Sequence, residues 1–576
     1  MNLLEVADFY IGRILSSQAK SGTSVVQQSR VKAMLLDKWT VGTISMCTTQ
    51  TELLEHEIYL VETIENQARD TMRHLRCLVY VKPTDETIGF LVDELRNPRY
   101  GEYYIFFNNT ISKSQLERLA EADDLEVVSK VEEVFQDYEI INSDLFTMGS
   151  VPNSPLFRNR MMWDSSGLEE VTSSLISVLL SLKVRPQVRY DVGSKLGMKL
   201  AQNVVEQVKK NDKKLFDFPV QDSTPMLLIL DRASDVVTPL LQPWTYQSLI
   251  YEYIGIKRNI VDLSDVPGLD ESLKQVVLSP KQDGFFRDTM FLNFGDLGDR
   301  IKHYVSNYKD KTKASNQINT LEDIRQFVEK FPEFKKLSGN VSKHMAIVGE
   351  LDRQLQLRHI WDISEIEQNI SVHVDDSEDF QDLLNLVGNS EIEPFYKMKL
   401  ACIFAARTNN PGRKSELEQL LSKTIPLEEV NFYHRFNSLF VSRKSNSAVR
   451  KDKDDILSEL TKKFNHKAHQ KSENVFMQHM PELSHVLDDL LKNKLSDEKY
   501  PNLGDQPRGP PQDVIIFFVG GVTFEEARVV HQFNESLKKG NARLRIILGG
   551  TSVLNTKEFI SYCNDLANDG AALNLL

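Results

Sequence analysis

The chain has 576 residues, 41% of them hydrophobic and 26% charged, and a formal net charge of −13. That length suits roughly two to four domains with a core large enough to need no disulfides. The acidic balance argues against nucleic acid as the main ligand, and no apolar run approaches the roughly 20 residues of a membrane span.

The opening stretch "MNLLEVADFYIGRIL" carries Glu5 and Asp8 inside its apolar pattern, which a secretory leader would not. "KAMLLD" (32–37) reads as a buried strand, "TQTELLEHEI" (49–58) as a helix and "IYLVETI" (58–64) as a strand. "CLVYV" (77–81) and "EYYIFFNN" (102–109) are strands, followed by the helices "DETIGFLVDELRN" (85–97) and "SKSQLERLAEAD" (112–123). Strands spaced by helices predict a parallel sheet covered on both faces. A further strand is expected within "VEEVFQDYEIIN" (131–142), then helices over 167–182 and 194–210 and a buried strand over 225–232.

From about 295 to 480 the pattern is mostly helical, broken by the charged stretch "SRKSNSAVRKDKDD" (442–455), which reads as a solvated loop. "LSDEKYPNLGDQPRGPPQD" (495–513) reads as a linker. Strand–helix alternation then returns in "VIIFFV", "FEEARVVHQFNESL", "RLRIIL" and "TKEFISYCNDLA". Two strands make no stable sheet by themselves, so this tail is expected to join an earlier sheet.

The strand–glycine–helix turn "VIIFFVGGVTFEEARVV" (514–530) has the outline of a phosphate loop. Its chemistry opposes that reading. Thr523 and Glu526 form a T-x-x-E capping box that satisfies the helix's own amides, and Glu525 and Glu526 would repel an anion. In "IILGGTSVLNTKEF", Asn555 and Glu558 can cap in the same way, and Lys557 is the one feature there that suits an anion. Asp231 and Asp235 in "LDRASD" sit at a strand end, where α/β enzymes keep reacting groups; a charged turn with Arg232 paired to a carboxylate is the favoured alternative. His466 and His469 of "HKAH", with His479 and His485, have no acidic or cysteine ligand at metal spacing. Cys47, Cys77, Cys402 and Cys563 are far apart and read as reduced, buried thiols of a cytosolic protein. No cofactor and no metal is expected.

The segments "RHLRCLVYVKPT", "LRNPRYGEYYIFF", "LLILDRASDVVTPLLQPWTYQSLI" and "FFVGGVTFEEARVV" together resemble the SM family, the syntaxin-binding proteins of vesicle fusion. "YEYIGIKRNIVDLS", "DGFFRDTMFLNFGDLGD" and "LSGNVSKHMAIVGELDRQL" resemble its endosomal branch. The resemblance runs nearly end to end and in order. It implies an α/β multidomain arch of three domains: an α/β domain at 1–134, a discontinuous α/β domain at 135–238 plus 508–576, and a mainly helical insertion at 239–507. It implies binding of a syntaxin-class SNARE of the Golgi or endosome and of its SNARE complex, in Golgi–endosome–vacuole transport. No nucleic acid is expected, and the membrane would be reached only through partners. The expected protein is a cytoplasmic monomer, peripheral on Golgi, endosomal and vacuolar membranes, and not an enzyme. The competing reading is an α/β enzyme acting on a nucleotide or small molecule at the strand ends.

Two contact regions are implied. One is a pocket for the syntaxin's N-terminal peptide, with Ile111, Leu116, Val128 and Val131 as its apolar wall and Glu133 facing a basic peptide residue. Ser112 and Gln115 read as the capping box of its helix. Leu116 and Leu119 lie at i, i+3, so periodicity alone leaves Leu116 open to a core reading. The other region is a helical hairpin over 295–355, with Pro332 at the family's hinge; a simple helix terminus there is the plainer alternative.

Overall fold

The computed structural model describes residues 2–16, 31–148, 155–219, 221–303, 340–441, 475–504 and 506–567. Helix α1 (Leu3–Leu15) begins on Asn2, whose side-chain oxygen accepts from the Leu4 and Glu5 amides. Five parallel strands follow: β1 (Lys32–Leu36), β2 (Ile58–Thr63), β3 (Met72–Val81), β4 (Tyr100–Phe107) and β5 (Val128–Glu133). They form one sheet in the order β2-β1-β3-β4-β5. The crossover helices α2 (Asp85–Arg96) and α3 (Lys113–Ala122) bury Leu91 and Leu119 against Ile105 and Phe107 on one face. The other face puts Tyr104 and Phe106 into a core shared with Tyr10 and Ile14 of α1. Both faces are covered, so the inner strands β1, β3 and β4 read as largely continuous apolar runs, whereas the edge strands β2 and β5 do not.

The expected single strand over 131–142 is two. β5 stops at Glu133, and β6 (Glu139–Ile140) belongs to a different sheet. Between them the chain turns inward because Asp137 is held by Lys82 Nζ at 3.0 Å and Asn109 Nδ2 at 2.9 Å. β7 (Leu145–Thr147), α4 (Ser165–Ser181), β8 (Gln187–Tyr190), α5 (Lys195–Lys210) and β9 (Met226–Asp231) come next.

A helical layer is then inserted: α6 (Ile360–Val372), α7 (Ser377–Gly388), α8 (Pro394–Arg407), α9 (Pro411–Thr424) and α10 (Leu427–Phe436). α8 buries nearly every residue and lies at its centre, as a helix apolar on all sides must. Its Lys399 is buried against Glu367 of α6 at 2.6 Å. Trp244 stacks on Trp361 of α6 with ring centroids 4.1 Å apart and donates to Ser364 Oγ at 2.7 Å, which ties this layer to the segment after β9.

The tail returns as β10 (Asn502–Leu503), β11 (Asp513–Val519), α11 (Phe524–Lys539), β12 (Arg545–Gly550) and α12 (Thr556–Ala567). It completes a seven-stranded sheet in the order β10-β8-β9-β11-β12-β7-β6. β11 lies between β9 and β12, parallel to both, from Met226↔Val514 to Asp231↔Val519 and from Asp513↔Arg545 to Phe518↔Gly550. The stretch expected to be a linker is instead partly sheet. Asn502–Leu503 pairs antiparallel with β8, and Arg189 anchors it through the Tyr500 carbonyl at 2.6 Å and Asp497 at 2.6 Å.

At the end of β9, Arg232 is wholly buried and donates to both carboxylate oxygens of Glu526 at 2.8 Å. Its guanidinium also lies over the Phe518 ring, 4.9 Å from the centroid. Glu526 is at the same time the capping residue of α11, receiving the Thr523 amide at 2.8 Å.

A second buried polar cluster holds the helical residues 340–357. Asp283 contacts Lys343 Nζ and His344 Nε2 (2.9 Å), and His344 Nδ1 meets Tyr246 Oη at 2.9 Å. Burial opposes ionisation of Asp283, but its contacts with His344 and Lys343 prevail and hold the carboxyl well below its usual range. Burial keeps the His344 pKa below that of an ordinary histidine.

Removing one partner of a buried pair strands the other charge. Arg232→Met should therefore destabilise the protein by about 3–5 kcal/mol, and Arg232→Met combined with Glu526→Leu should recover much of the loss; urea denaturation measures both. A group with depressed folded pKa stabilises above its unfolded value and loses that contribution as the pH falls. Thermal melting should decline once the pH drops below about 6.5, through His344, and again below about 4, through Asp283. Asp283→Asn should remove the lower step.

Candidate interaction site

The proposed peptide site lies at the β5 edge of the first sheet. Ser112 Oγ accepts from the Gln115 amide at 3.2 Å and Gln115 Oε1 from the Ser112 amide at 3.1 Å, which closes the capping box that starts α3. Gln115 Nε2 also donates to the Pro83 carbonyl at 3.1 Å and to Asp85 at 3.2 Å, tying this end to the start of α2. At the other end, Asp123 takes the amides of Val127 (2.8 Å) and Val128 (3.1 Å) and so sets the turn into β5.

Register decides which β5 side chains face α3. Val128 pairs with Tyr103, Val131 with Ile105 and Glu133 with Phe107, all core residues of the helix-covered face. A register shift after Val128 lets Val128, Val131 and Glu133 share that face despite the odd spacing of the first two. Among the described residues β5 is an edge strand, with no further strand paired beyond it.

Ile111 and Val128 are half-buried against the core, whereas Leu116 and Val131 are 42% and 41% exposed. Leu119 and Ala122 are the buried anchors of α3, at 4% and 1%. The ambiguity at i, i+3 is thus resolved: Leu119 is core and Leu116 is surface. Glu133 has a structural duty, since its Oε1 accepts the Ile111 amide at 2.8 Å and fixes the loop entering α3. Leu125, 55% exposed in the turn before β5, was not singled out from sequence. An apolar residue inside the polar run Asp-Asp-Leu-Glu was the available signal.

Pro332 and most of the hairpin over 295–355 lie outside the described residues, as do the 442–455 loop and His466 and His469. His479 is described: its Nε2 is 3.2 Å from Thr238 Oγ1. Among the described residues no group of three or more His, Cys, Asp or Glu side chains could hold a metal ion. All four cysteines are free and buried.

The strand ends weighed as enzyme sites are occupied by the fold itself. Asp231 accepts the Ala233 amide at 2.9 Å and bonds Ser194 Oγ. Asp235 takes the Thr238 hydroxyl at 2.6 Å and the Glu482 amide at 3.1 Å. Gly520 and Gly521 have φ of 92° and 99°; a Cβ on Gly520 would come within 2.5 Å of Tyr562 Oη. These glycines serve tight packing where a phosphate loop would need open space. Asn555 Oδ1 caps α12 through the Glu558 amide at 2.9 Å. A cavity of about 710 Å³ opens between the first sheet and the tail, with Trp39, Asp137, Arg258 and Phe524 in its wall. Its Lys82 is already engaged by Asp137 and Glu170.

The model of the Sec1 family matches residues 32–562. Vacuolar protein sorting-associated protein 45 of Saccharomyces cerevisiae is 56% identical over 574 residues, covering 97% of this chain and 99% of that protein. The Homo sapiens protein of that name is 37% identical over 567 residues, covering 97% and 95%. A solved structure described as the SM protein Vps45 in complex with the Qa SNARE Tlg2 superposes with a TM-score of 0.88 at 39% identity, covering 100% of both chains. The shared architecture is an α/β multidomain arch with parallel sheets and a helical insertion.

Leu116→Arg should leave stability within about 0.5 kcal/mol, as exposed substitutions do, while Leu119→Arg should unfold the first sheet by burying an unpaired charge. Thermal melting of the two variants checks the assignment.

Proposed function

The chain belongs to the Sec1 family, and from that premise we propose that it binds a syntaxin-class SNARE and promotes SNARE assembly for vesicle fusion in Golgi–endosome–vacuole transport. The observation that carries this reading is the end-to-end likeness to a protein solved in complex with a Qa SNARE. It acts as an arch of three domains, at 1–134, 135–238 plus 508–576, and 239–507, and it works peripherally on Golgi, endosomal and vacuolar membranes as a cytoplasmic monomer. Its task is to hold other proteins' helices, with no covalent step of its own.

The syntaxin's N-terminal peptide lies along the groove between α3 and β5. Leu116 and Val131 offer it exposed apolar surface, and Ile111 and Val128 form the floor. Exposed apolar patches of this kind mark partner surfaces. Glu133 retains partial exposure after binding the Ile111 amide, so its carboxylate can also face a basic residue of the peptide. Pro332 serves as the hinge of the SNARE-contacting hairpin, since proline interrupts a helix's hydrogen-bond ladder. The strand-end carboxylates are committed to buried pairs and caps, which supports a binding protein over an enzyme.

Calorimetric titration with N-terminal peptides of Golgi and endosomal syntaxins tests the reading. Leu116→Arg should weaken peptide binding by about 2–4 kcal/mol, the cost of placing a charge against apolar surface. Wild-type protein that ignores every such peptide, or turnover of a nucleotide that Asp231→Ala abolishes, would overturn it.

A further inference from the structure

α5 (Lys195–Lys210) presents two opposite faces. Leu196, Gly197, Leu200, Ala201, Val204 and Val208 are buried on one. Lys195, Met198, Lys199, Gln202, Glu206, Lys209 and Lys210 are exposed, and at 100° per residue they fall within one 120° sector of the other. Lys213 and Lys214 continue the run in the turn that follows. Among the described residues none of these six lysines makes an ion pair. In a chain of net charge −13 this is a concentrated basic strip, about 24 Å long at about 1.5 Å per residue.

Helix stability does not explain the strip. Lys209 and Lys210 complement the negative end of the helix dipole, but Lys195 and Lys199 sit in the first turns, where positive charge is unfavourable and no acidic residue is present. Apolar surface is exposed at that same end. Val192 is 58% and Met198 36% exposed. The hairpin Phe157–Asn159/Met162–Trp163 docks there through Trp163 Nε1, which donates to the Leu196 carbonyl at 2.9 Å, and it carries Met161 and Met162 at 49% and 52% exposure.

We propose that the exposed face of α5, with the Met161–Met162 hairpin tip and Val192, docks directly on an anionic lipid surface. This contact is separate from the groove between α3 and β5 and does not depend on the SNARE reading. The strip's composition favours lipid over an acidic protein segment. All its cations are lysines, point charges on flexible stems, whereas a fixed carboxylate or phosphate pattern is commonly read by arginine forks. A convex helix face has no groove to hold a peptide in register, yet a flat anionic surface needs only charge density and a few apolar side chains to enter the headgroup layer.

Co-sedimentation of the full chain with vesicles tests this. Wild-type protein should partition onto phosphatidylcholine vesicles containing roughly one third phosphatidylserine, not onto pure phosphatidylcholine, and should be released by about 0.5 M salt. The quadruple variant Lys195→Gln, Lys199→Gln, Lys209→Gln, Lys210→Gln should lose at least about tenfold in partitioning with unchanged thermal melting. Met162→Ser with Val192→Ser should lose a few-fold while keeping the salt dependence. Wild-type protein that stays in solution, or equal partitioning of the quadruple variant, would overturn the proposal. Binding to polyglutamate without binding to vesicles would overturn it in favour of an acidic protein partner.

Discussion

A guanidinium and a carboxylate, both shut off from water, join parts of the chain 294 residues apart. Arg232 follows the last residue of β9 and Glu526 lies in the first turn of α11, so the contact of Arg232 Nη1 with both carboxylate oxygens fixes how the tail meets the strand it must lie beside. Desolvating two charges costs several kcal/mol each, and only good geometry with further partners offsets it. Here Arg232 also donates to the Asp235 carbonyl at 2.8 Å and rests over Phe518, while Glu526 closes the α11 cap. One pair thus positions the strand end, the helix start and the double-glycine turn together. The double-glycine turn is thereby packed tightly, a Cβ on Gly520 coming within 2.5 Å of Tyr562 Oη.

The first sheet solves a different problem. It keeps a doubly covered interior and leaves an edge strand beside a helix whose start is capped by Ser112 and Gln115 and whose exit turn is fixed by Asp123. Leu119 and Ala122 hold α3 down; Leu116, one turn away, is free to serve as surface. The placement of Leu116 and Val131 therefore depends on Ser112, Gln115 and Asp123, which fix the turns into α3 and β5.

Much of this was legible in the sequence. The alternation of apolar runs with amphipathic helices predicted the first parallel sheet, and two orphan strands in the tail required an earlier sheet to receive them; that second sheet is mixed, with an antiparallel strand at each edge. The T-x-x-E and S-x-x-Q spacings identified two helix starts correctly because a capping box is a local device. Longer-range facts were hidden. That Arg232 pairs with Glu526 is a tertiary matter, and the edge strand Asn502–Leu503 was masked by its Pro/Gly-rich surroundings. Whether Leu116 or Leu119 points inward depends on the helix's rotation over the sheet, which periodicity leaves open by one turn. Glu133's bond to the Ile111 amide likewise needs a strand end and a loop brought together in space.

The threading of β11 between β9 and β12 bears on biosynthesis. β9 is made long before its neighbour, and 288 residues separate paired positions such as Met226 and Val514. At about 5–20 residues per second, the apolar flank of β9 waits roughly 14–58 s on the ribosome for the strand that covers it. During that interval the nascent chain displays an open, hydrophobic sheet margin to solvent, and it becomes a client for any holdase that recognises one. Truncation anywhere before the last strands would make that exposure permanent, so shortened products should be cleared by quality control and should not accumulate as partial arches.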